Sequence, residues 1–299
     1  MKVSVVISAF NEEVKIEKCL QSLKNFADEI ILIDNSSTDD TVKIAKKYTD
    51  NIFSRENNPM LNVNKNFGFT KASNEWILSL DADEIITEEL ASEIKDIKET
   101  NDVNGYYIPR KNIIFGKWIR HTGWYPDYQL RLFRKDKGKF AEKQVHEMIT
   151  LDGVTKNLSN PMLHMNYENI SQFLNKMVRT YTVSEAENLR SQGYKYNALD
   201  LIKMPLSEFI KRYFAERGYR DGMHGLVLSL LQGFYHFVVF LRLWEANNYP
   251  DEKDTQELLK EGKKMISHEF KYWVAHAQIE NESNTLKKQL LKVKRKILH

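Results

Sequence analysis

The sequence predicts an α/β protein: a doubly wound, mixed sheet followed by a helical C-terminal region. Three observations carry that prediction. Apolar, β-branched runs alternate with helix-period segments through the first 80 residues, as in βα units wound around a parallel sheet. Short aromatic and β-branched pieces then extend the sheet between residues 105 and 165, interrupted by loops at Gly116 and Gly123. Beyond Tyr167 the pattern is almost wholly helical. The expected organisation is therefore an α/β domain over residues 1–165 and a helical region over 166–299. No Pro/Gly/Ser linker separates them, and no internal repeat stands out.

Residues 3–7 are an apolar, β-branched run and read as the first strand. Asn11 is placed to cap a helix with Glu12 and Glu13 in its first turn. Its apolar residues Ile16, Cys19, Leu20 and Leu23 follow i, i+3, i+4, i+7 spacing. Residues 30–33 give a second strand, and residues 36–38 are expected to cap a helix through Val42 and Ala45. A short third strand covers residues 51–54, and a helix through Asn66 and Ala72 leads to the fourth, residues 76–80. Residues 105–110 and 129–133 read as strands of the mixed extension.

Composition narrows the function classes. A chain of 299 residues with 42% hydrophobic and 28% charged residues folds and is soluble. A net charge of +3 gives no footing for nucleic acid as a partner. The lone Cys19 cannot form an internal disulfide, which suits a reducing compartment. The apolar start is short and meets Asn11-Glu12-Glu13 with no small-residue cleavage site, so it reads as a strand rather than a signal peptide. The expected location is cytoplasmic.

Asp81-Ala82-Asp83 is the densest chemical signal. It directly follows the apolar run Trp76-Ile77-Leu78-Ser79-Leu80. Strand side chains alternate with period 2, so the two carboxylates are expected to face the same way. They would offer hard oxygen ligands to a divalent cation at the rim of a sheet. In doubly wound sheets ligands bind outside the carboxyl ends of the strands. Polar residues stand at those ends here: Ser8 to Asn11, Asp34, and Asp81 with Asp83.

Three segments carry a resemblance. Val5-Val6-Ile7-Ser8-Ala9-Phe10-Asn11-Glu12, Ile31-Leu32-Ile33-Asp34-Asn35-Ser36-Ser37-Thr38-Asp39 and Leu80-Asp81-Ala82-Asp83-Glu84 resemble the A-fold (GT-A) family 2 inverting glycosyltransferases. Gly123-Trp124-Tyr125-Pro126-Asp127, Gln129-Leu130-Arg131-Leu132-Phe133-Arg134 and Val145-His146-Glu147 are similar to a narrower branch, the lipopolysaccharide inner-core β-glucosyltransferases. The resemblance covers roughly residues 1–170 and weakens in the helical part.

It implies a UDP-sugar donor, with Mg²⁺ or Mn²⁺, and a glycan or lipid-linked acceptor. Ser8, Phe10, Asn11 and Glu12 would line the donor site, with Asp34 accepting from uracil. Lys65 and Asn66 belong to a basic-Asn-x-Gly pattern, matched here by Lys65-Asn66-Phe67-Gly68. Asp83 is the expected metal ligand, with Asp81 reaching ribose or a metal-bound water, and His164 completing the shell. Glu147 is the candidate general base, since inverting transfer needs a carboxylate to take the acceptor proton. Related enzymes have a Glu-Asp pair where this chain has His146-Glu147, and Asp127 is held in reserve. Arg131 and Arg134 would bind phosphate or bridge acidic loops. Trp118, Trp124 and Tyr125 would wall the acceptor or pack the core. Three rival readings remain open: a non-catalytic sugar-nucleotide-binding module, transfer to a protein acceptor, and a phosphatase. The last would need a nucleophilic Asp after the first strand, where the chain has Ser8-Ala9-Phe10.

In the helical half, residues 226–244 approach the length of a membrane span but contain Gln232, Gly233, His236 and Arg242. Burial and an interfacial position are the competing readings. Lys211, Arg212, Arg217 and Arg220 upstream favour an anionic surface, and with it peripheral contact at the inner face of the cytoplasmic membrane. After Glu282 no acidic residue follows, and Leu286, Leu290, Val293 and Ile297 keep 4-3-4 spacing. A short coiled coil, which would support a homodimer, and a basic amphipathic helix both fit.

Overall fold

The computed structural model of the chain describes residues 1–58, 61–98, 102–142 and 148–297. The chain forms two compact units: Met1–Ile114 with Tyr125–Asn166, and Phe115–Trp124 with Tyr167–His299. In chain order the first half comprises β1 (Val3–Ala9), α1 (Ile16–Leu23), β2 (Glu29–Asp34), α2 (Thr41–Ala45), β3 (Ile52–Ser54), α3 (Leu61–Lys71), β4 (Trp76–Asp81), β5 (Glu84–Ile85) and α4 (Glu88–Lys95). Then follow β6 (Val103–Ile114), β7 (Lys117–Trp118), β8 (Asp127–Arg134), β9 (Gly138–Lys139), β10 (Thr150–Leu151), β11 (Val154–Asn157) and β12 (Met162–Tyr167).

The sheet of the first unit runs β3-β2-β1-β4-β8-β6-β12-β5. Its first four strands are parallel, and β8 joins β4 antiparallel. The sheet is therefore mixed, as expected. The central strands are covered on both faces: Val5, Val6 and Ile7 of β1 and Ile77, Leu78 and Leu80 of β4 are all at most 1% exposed. That explains the unbroken apolar runs, which alternation would have replaced in a half-exposed strand. Each such side chain contributes about 1.5–3 kcal/mol on burial.

Helix α1 buries Ile16, Cys19, Leu20 and Leu23 on one face, as the spacing predicts. The caps differ from expectation. Asn11 sits at φ 53°, and its Oδ1 accepts from the Thr38 N–H at 2.8 Å instead of capping α1, which starts at Ile16. Helix α2 likewise starts only at Thr41, where Asp39 Oδ1 accepts from the Thr41 N–H. The same residues tie the two strand-end loops to each other, since Asp39 Oδ2 also accepts from the Glu13 N–H. Helix α3 lies close on the sheet because of Gly68: a Cβ there would stand 2.5 Å from Val6 Cγ1 and 2.9 Å from Ile33 Cγ1.

The second unit contains α5 (Ile170–Lys176), α6 (Thr182–Ser191), α7 (Asp200–Ile210), α8 (Met223–Ala246), α9 (Thr255–Asn281) and α10 (Thr285–Ile297), with π-helical turns at Met177–Tyr181 and Lys211–Ala215. A division at residues 165/166 does not foresee that Phe115–Trp124 belongs here. The reason is Asp221, 3% exposed, whose carboxylate accepts the N–H groups of Arg120 and His121. Phe115 N–H also donates to Tyr167 O.

Among the described residues α8 is one helix long and apolar enough to cross a membrane. It packs against α6 and α7 and buries Gly225, Leu228, Ser229, Gly233, Val239, Phe240 and Leu243. Its Arg242 is held by Thr182 Oγ1 and Val178 O. The upstream basic side chains have acidic neighbours in the same unit: Lys211 and Arg212 pair with Glu208 and Glu216, and Arg217 and Arg220 pair with Glu280.

Candidate active site

The carboxyl ends of β1, β2 and β4 bring the expected polar residues together. Asp34, last in β2, is 4% exposed, and its Oδ1 accepts from the Ser37 N–H at 3.1 Å. The loop after β1 is bound to the loop after β2: Asn11 N–H donates to Ser37 Oγ and Glu12 N–H to Thr41 Oγ1. Phe10 remains 41% exposed beside them. Ser8 Oγ accepts from Asn35 Nδ2, and Asn35 Oδ1 accepts from Asn64 Nδ2 at 2.6 Å. Asn64 is also among the residues lining a polar cavity of about 470 Å³ with Ser54, Arg55, Glu56, Asn57 and Asn58.

Asn35 and Asn64 were missed by the sequence reading. Their signal was three asparagines, Asn62, Asn64 and Asn66, within one helix turn and a half of α3. Asparagine is a poor helix former, so its repetition asks for a tertiary reason.

The Asp81-Ala82-Asp83 carboxylates do not share one face. Strand β4 ends at Asp81, and the chain turns through Ala82 and Asp83, so period-2 alternation stops applying there. Asp81 receives Lys65 Nζ on Oδ1 at 2.5 Å and Arg131 Nη2 on Oδ2 at 2.7 Å. Burial alone would raise its carboxyl, but Lys65 and then Arg131 hold it well below the usual carboxylate range. Arg131, 6% exposed, also meets the fully buried Glu84 at 2.7 Å. Burial works against its charge, yet Glu84 and Asp81 raise its pKa.

Asp83 has other partners, one of them on β12. His164 Nε2 is 3.7 Å from Asp83 Oδ2, and Lys15 Nζ is 3.9 Å from the same oxygen. Burial pushes the Asp83 carboxyl up, but His164 holds it below its ordinary value. His164 Nδ1 lies 2.7 Å from Asn112 Oδ1. Asn112 Oδ1 also accepts from Asn166 Nδ2, while Asn112 Nδ2 donates to Asp127 Oδ2. The amide is thereby oriented, and an Nδ1–H of His164 is placed to donate to Asn112 Oδ1. Its Nε2 is the ring nitrogen on the Asp83 side.

These residues fit a divalent cation in part. Two ligands of one small ion, each about 2.1 Å from it, stand roughly 3–3.6 Å apart, close to the Asp83–His164 spacing. No group of three His, Cys, Asp or Glu side chains that could hold a metal occurs among the described residues. Each Asp81 oxygen already meets one cation, Lys65 or Arg131. A Mg²⁺-type ion commonly takes one or two protein ligands and completes its shell with substrate phosphates and water.

The remaining candidates divide. Asp127, at the start of β8, takes Arg110 Nε at 2.8 Å and Asn112 on Oδ2, and Gln129 Nε2 at 2.8 Å on Oδ1. Burial raises its carboxyl, but Arg110 foremost keeps it lowered. A carboxylate so fully occupied is a weak proton acceptor. Glu147 lies outside the described residues. Asn66 turns from the donor side: its amide exchanges hydrogen bonds with the Phe140 backbone and donates to Glu142 Oε1 at 2.7 Å. Arg134 is structural, paired with Glu75 and stacked over Trp76. Trp118 and Trp124 belong to the helical unit, Trp118 beneath Arg120 and Trp124 edge-on to Tyr167.

Strand ends that gather carboxylates, amides and a lysine fit a class: α/β proteins with a polar ligand crevice along the carboxyl edge of the sheet. Within that class, the chain belongs to Glycosyl transferase family 2, whose family model matches residues 4–157. It is a glycosyltransferase.

A glycosyltransferase of Rickettsia typhi, described as uncharacterized, is 29% identical over 260 residues, covering 82% of this chain and 88% of its own. The lipopolysaccharide core biosynthesis glycosyltransferase LpsC of Rhizobium meliloti is 25% identical over 254 residues, covering 83% and 93%. Among solved structures, Staphylococcus aureus TarS 1-349 in complex with UDP aligns over 85% of this chain and 95% of that one, at 16% identity and a TM-score of 0.42. A likeness that slight has no bearing on the chemistry.

Proposed function

We propose that the enzyme is a metal-dependent, inverting glycosyltransferase. It moves a sugar, glucose first among the candidates, from a UDP-sugar to an acceptor hydroxyl in lipopolysaccharide core or another surface glycan. The observation that carries this reading is the facing pair Asp83–His164, set beside the cation-held Asp81 at the end of β4. The name of the LpsC relative supports the acceptor class.

In this reading Asp34 accepts from the uracil N–H, its carboxylate oriented by Ser37. Asn35, fixed between Ser8 and Asn64, stiffens the adjoining loop. Asp83 and His164 would hold Mg²⁺ or Mn²⁺, which when bound neutralises the leaving diphosphate. Lys65 and Arg131 keep Asp81 ionised so that it can accept from a ribose hydroxyl. Glu147 takes the acceptor proton as the acceptor oxygen bonds to the anomeric carbon. The carbon–oxygen bond to the diphosphate breaks, and its electron pair leaves on UDP. Asp127 orients Arg110, Asn112 and Gln129 rather than carrying the proton.

The test is a panel of nucleotide sugars incubated with the purified enzyme and truncated lipopolysaccharide-core acceptors, with product anomers read by NMR. A β-linked product from one UDP-sugar supports the reading. Retention of configuration, or turnover only with a peptide acceptor, contradicts it.

A further inference from the structure

We propose that α10 is a docking helix for anionic phospholipid membranes, an inference independent of the donor and acceptor assigned above. Asn284 caps the helix, its Oδ1 accepting from the Leu286 and Lys287 N–H groups. Leu286, Leu290 and Val293 then follow 4-3 spacing and are 74%, 65% and 57% exposed. Three large apolar side chains therefore line one helix face with most of their surface in water, while α10 packs against α9.

Charge identifies the occupant of that face. From Ser283 to the last residue the chain carries Lys287, Lys288, Lys292, Lys294, Arg295 and Lys296 and no acidic residue, and the one acidic partner found for them among the described residues is Glu282, just before the helix, 3.2 Å from Lys287. At 100° per residue, Lys287 and Lys292 fall on opposite flanks of the apolar stripe. Their alkyl stems can lie along hydrocarbon while the ammonium groups reach lipid phosphates. An apolar stripe between cationic flanks is the pattern of a helix lying in the membrane interface. Pairing with a second copy would set two groups of six cations side by side, which repel. A nucleic acid would satisfy the cations but leave the leucines in water.

The upstream cluster differs: its four cations, Lys211, Arg212, Arg217 and Arg220, share three carboxylates, Glu208, Glu216 and Glu280, whereas α10 sets six cations against Glu282. Membrane contact then falls at the far end of the helical region.

The experiment is co-sedimentation of the full chain with vesicles of phosphatidylcholine alone or with about one third phosphatidylglycerol. Binding is expected to the anionic vesicles only, and to fall in 0.5 M salt, since each basic residue strengthens it roughly fivefold. Leu290→Glu with Val293→Glu should reduce binding at least about tenfold, by the loss of buried apolar area. Lys287→Gln with Lys288→Gln and Lys292→Gln, which leaves the apolar stripe intact, should do the same at low salt. Both variants should keep helix content and UDP release from donor in solution. Equal binding to neutral vesicles, or binding undiminished in both variants, overturns the proposal. So does a dimer in sedimentation velocity that Leu290→Glu dissolves, or retention on RNA in place of vesicles.

Discussion

His164 Nε2 stands 3.7 Å from Asp83 Oδ2, while Nδ1 of the same ring lies 2.7 Å from Asn112 Oδ1. Asn112 thus holds the ring so that Nε2 is turned to Asp83. Ring partners of this kind raise metal affinity by orienting the ligand. Asn112→Ala should weaken Mn²⁺ binding in the presence of UDP by about 10–100-fold, read by calorimetric titration. An unchanged affinity would remove His164 from the metal shell.

Arg131 bridges Asp81 and Glu84 in a region where Glu84 has no solvent exposure. Arg131→Met should lower stability by about 3–5 kcal/mol in urea unfolding, because it leaves a buried carboxylate short of its partner. Adding Glu84→Gln should recover part of that loss. A double variant no more stable than Arg131→Met would show that the two side chains act separately.

Asp127 should govern part of the acid limb of stability. Burial raises its carboxyl, but Arg110, Gln129 and Asn112 lower it below the unfolded value. A lowered folded-state pKa means stabilisation that is present above the unfolded pKa, about 4, and lost as pH falls through the folded one. The stability gap between wild type and Asp127→Asn should therefore be full above about pH 5 and shrink toward pH 2. A gap that widens on acidification would reverse the sign assigned to this group.

Glu147→Gln should lower kcat by about 10²–10⁴ with UDP affinity retained, as expected for loss of a general base. Asp127→Asn should act mainly through KM, since Asp127 positions its neighbours. The opposite split in steady-state kinetics would make Asp127 the base.

Much of the fold was legible because burial on both faces writes itself as unbroken apolar runs. Residues 3–7 and 76–80 are examples, and each became a central parallel strand. The strand-end position of Asp34 and Asp81 was legible for the same reason. What the sequence did not show depends on where regular structure stops. The period-2 argument for Asp81 and Asp83 failed at the turn after Asp81, and the expected cap Asn11 crosses to Thr38. Glu84, Arg110 and Asn112 were invisible as a set because their partners come from β5, β6, β8 and β12, which pattern alone cannot align. The acidic partners of the basic cluster at Lys211 to Arg220 were not legible, because one of them, Glu280, lies far along the chain.

The central claim is that Asp83 anchors a metal needed for sugar transfer. UDP release from the preferred donor should be measured with Mn²⁺, with chelator, and for Asp83→Ala at saturating Mn²⁺. The account predicts near-complete loss with chelator, restoration by Mn²⁺ in the wild type, and no restoration in Asp83→Ala although the variant remains folded. Full activity in chelator, or an Asp83→Ala enzyme as active as the wild type, would contradict it.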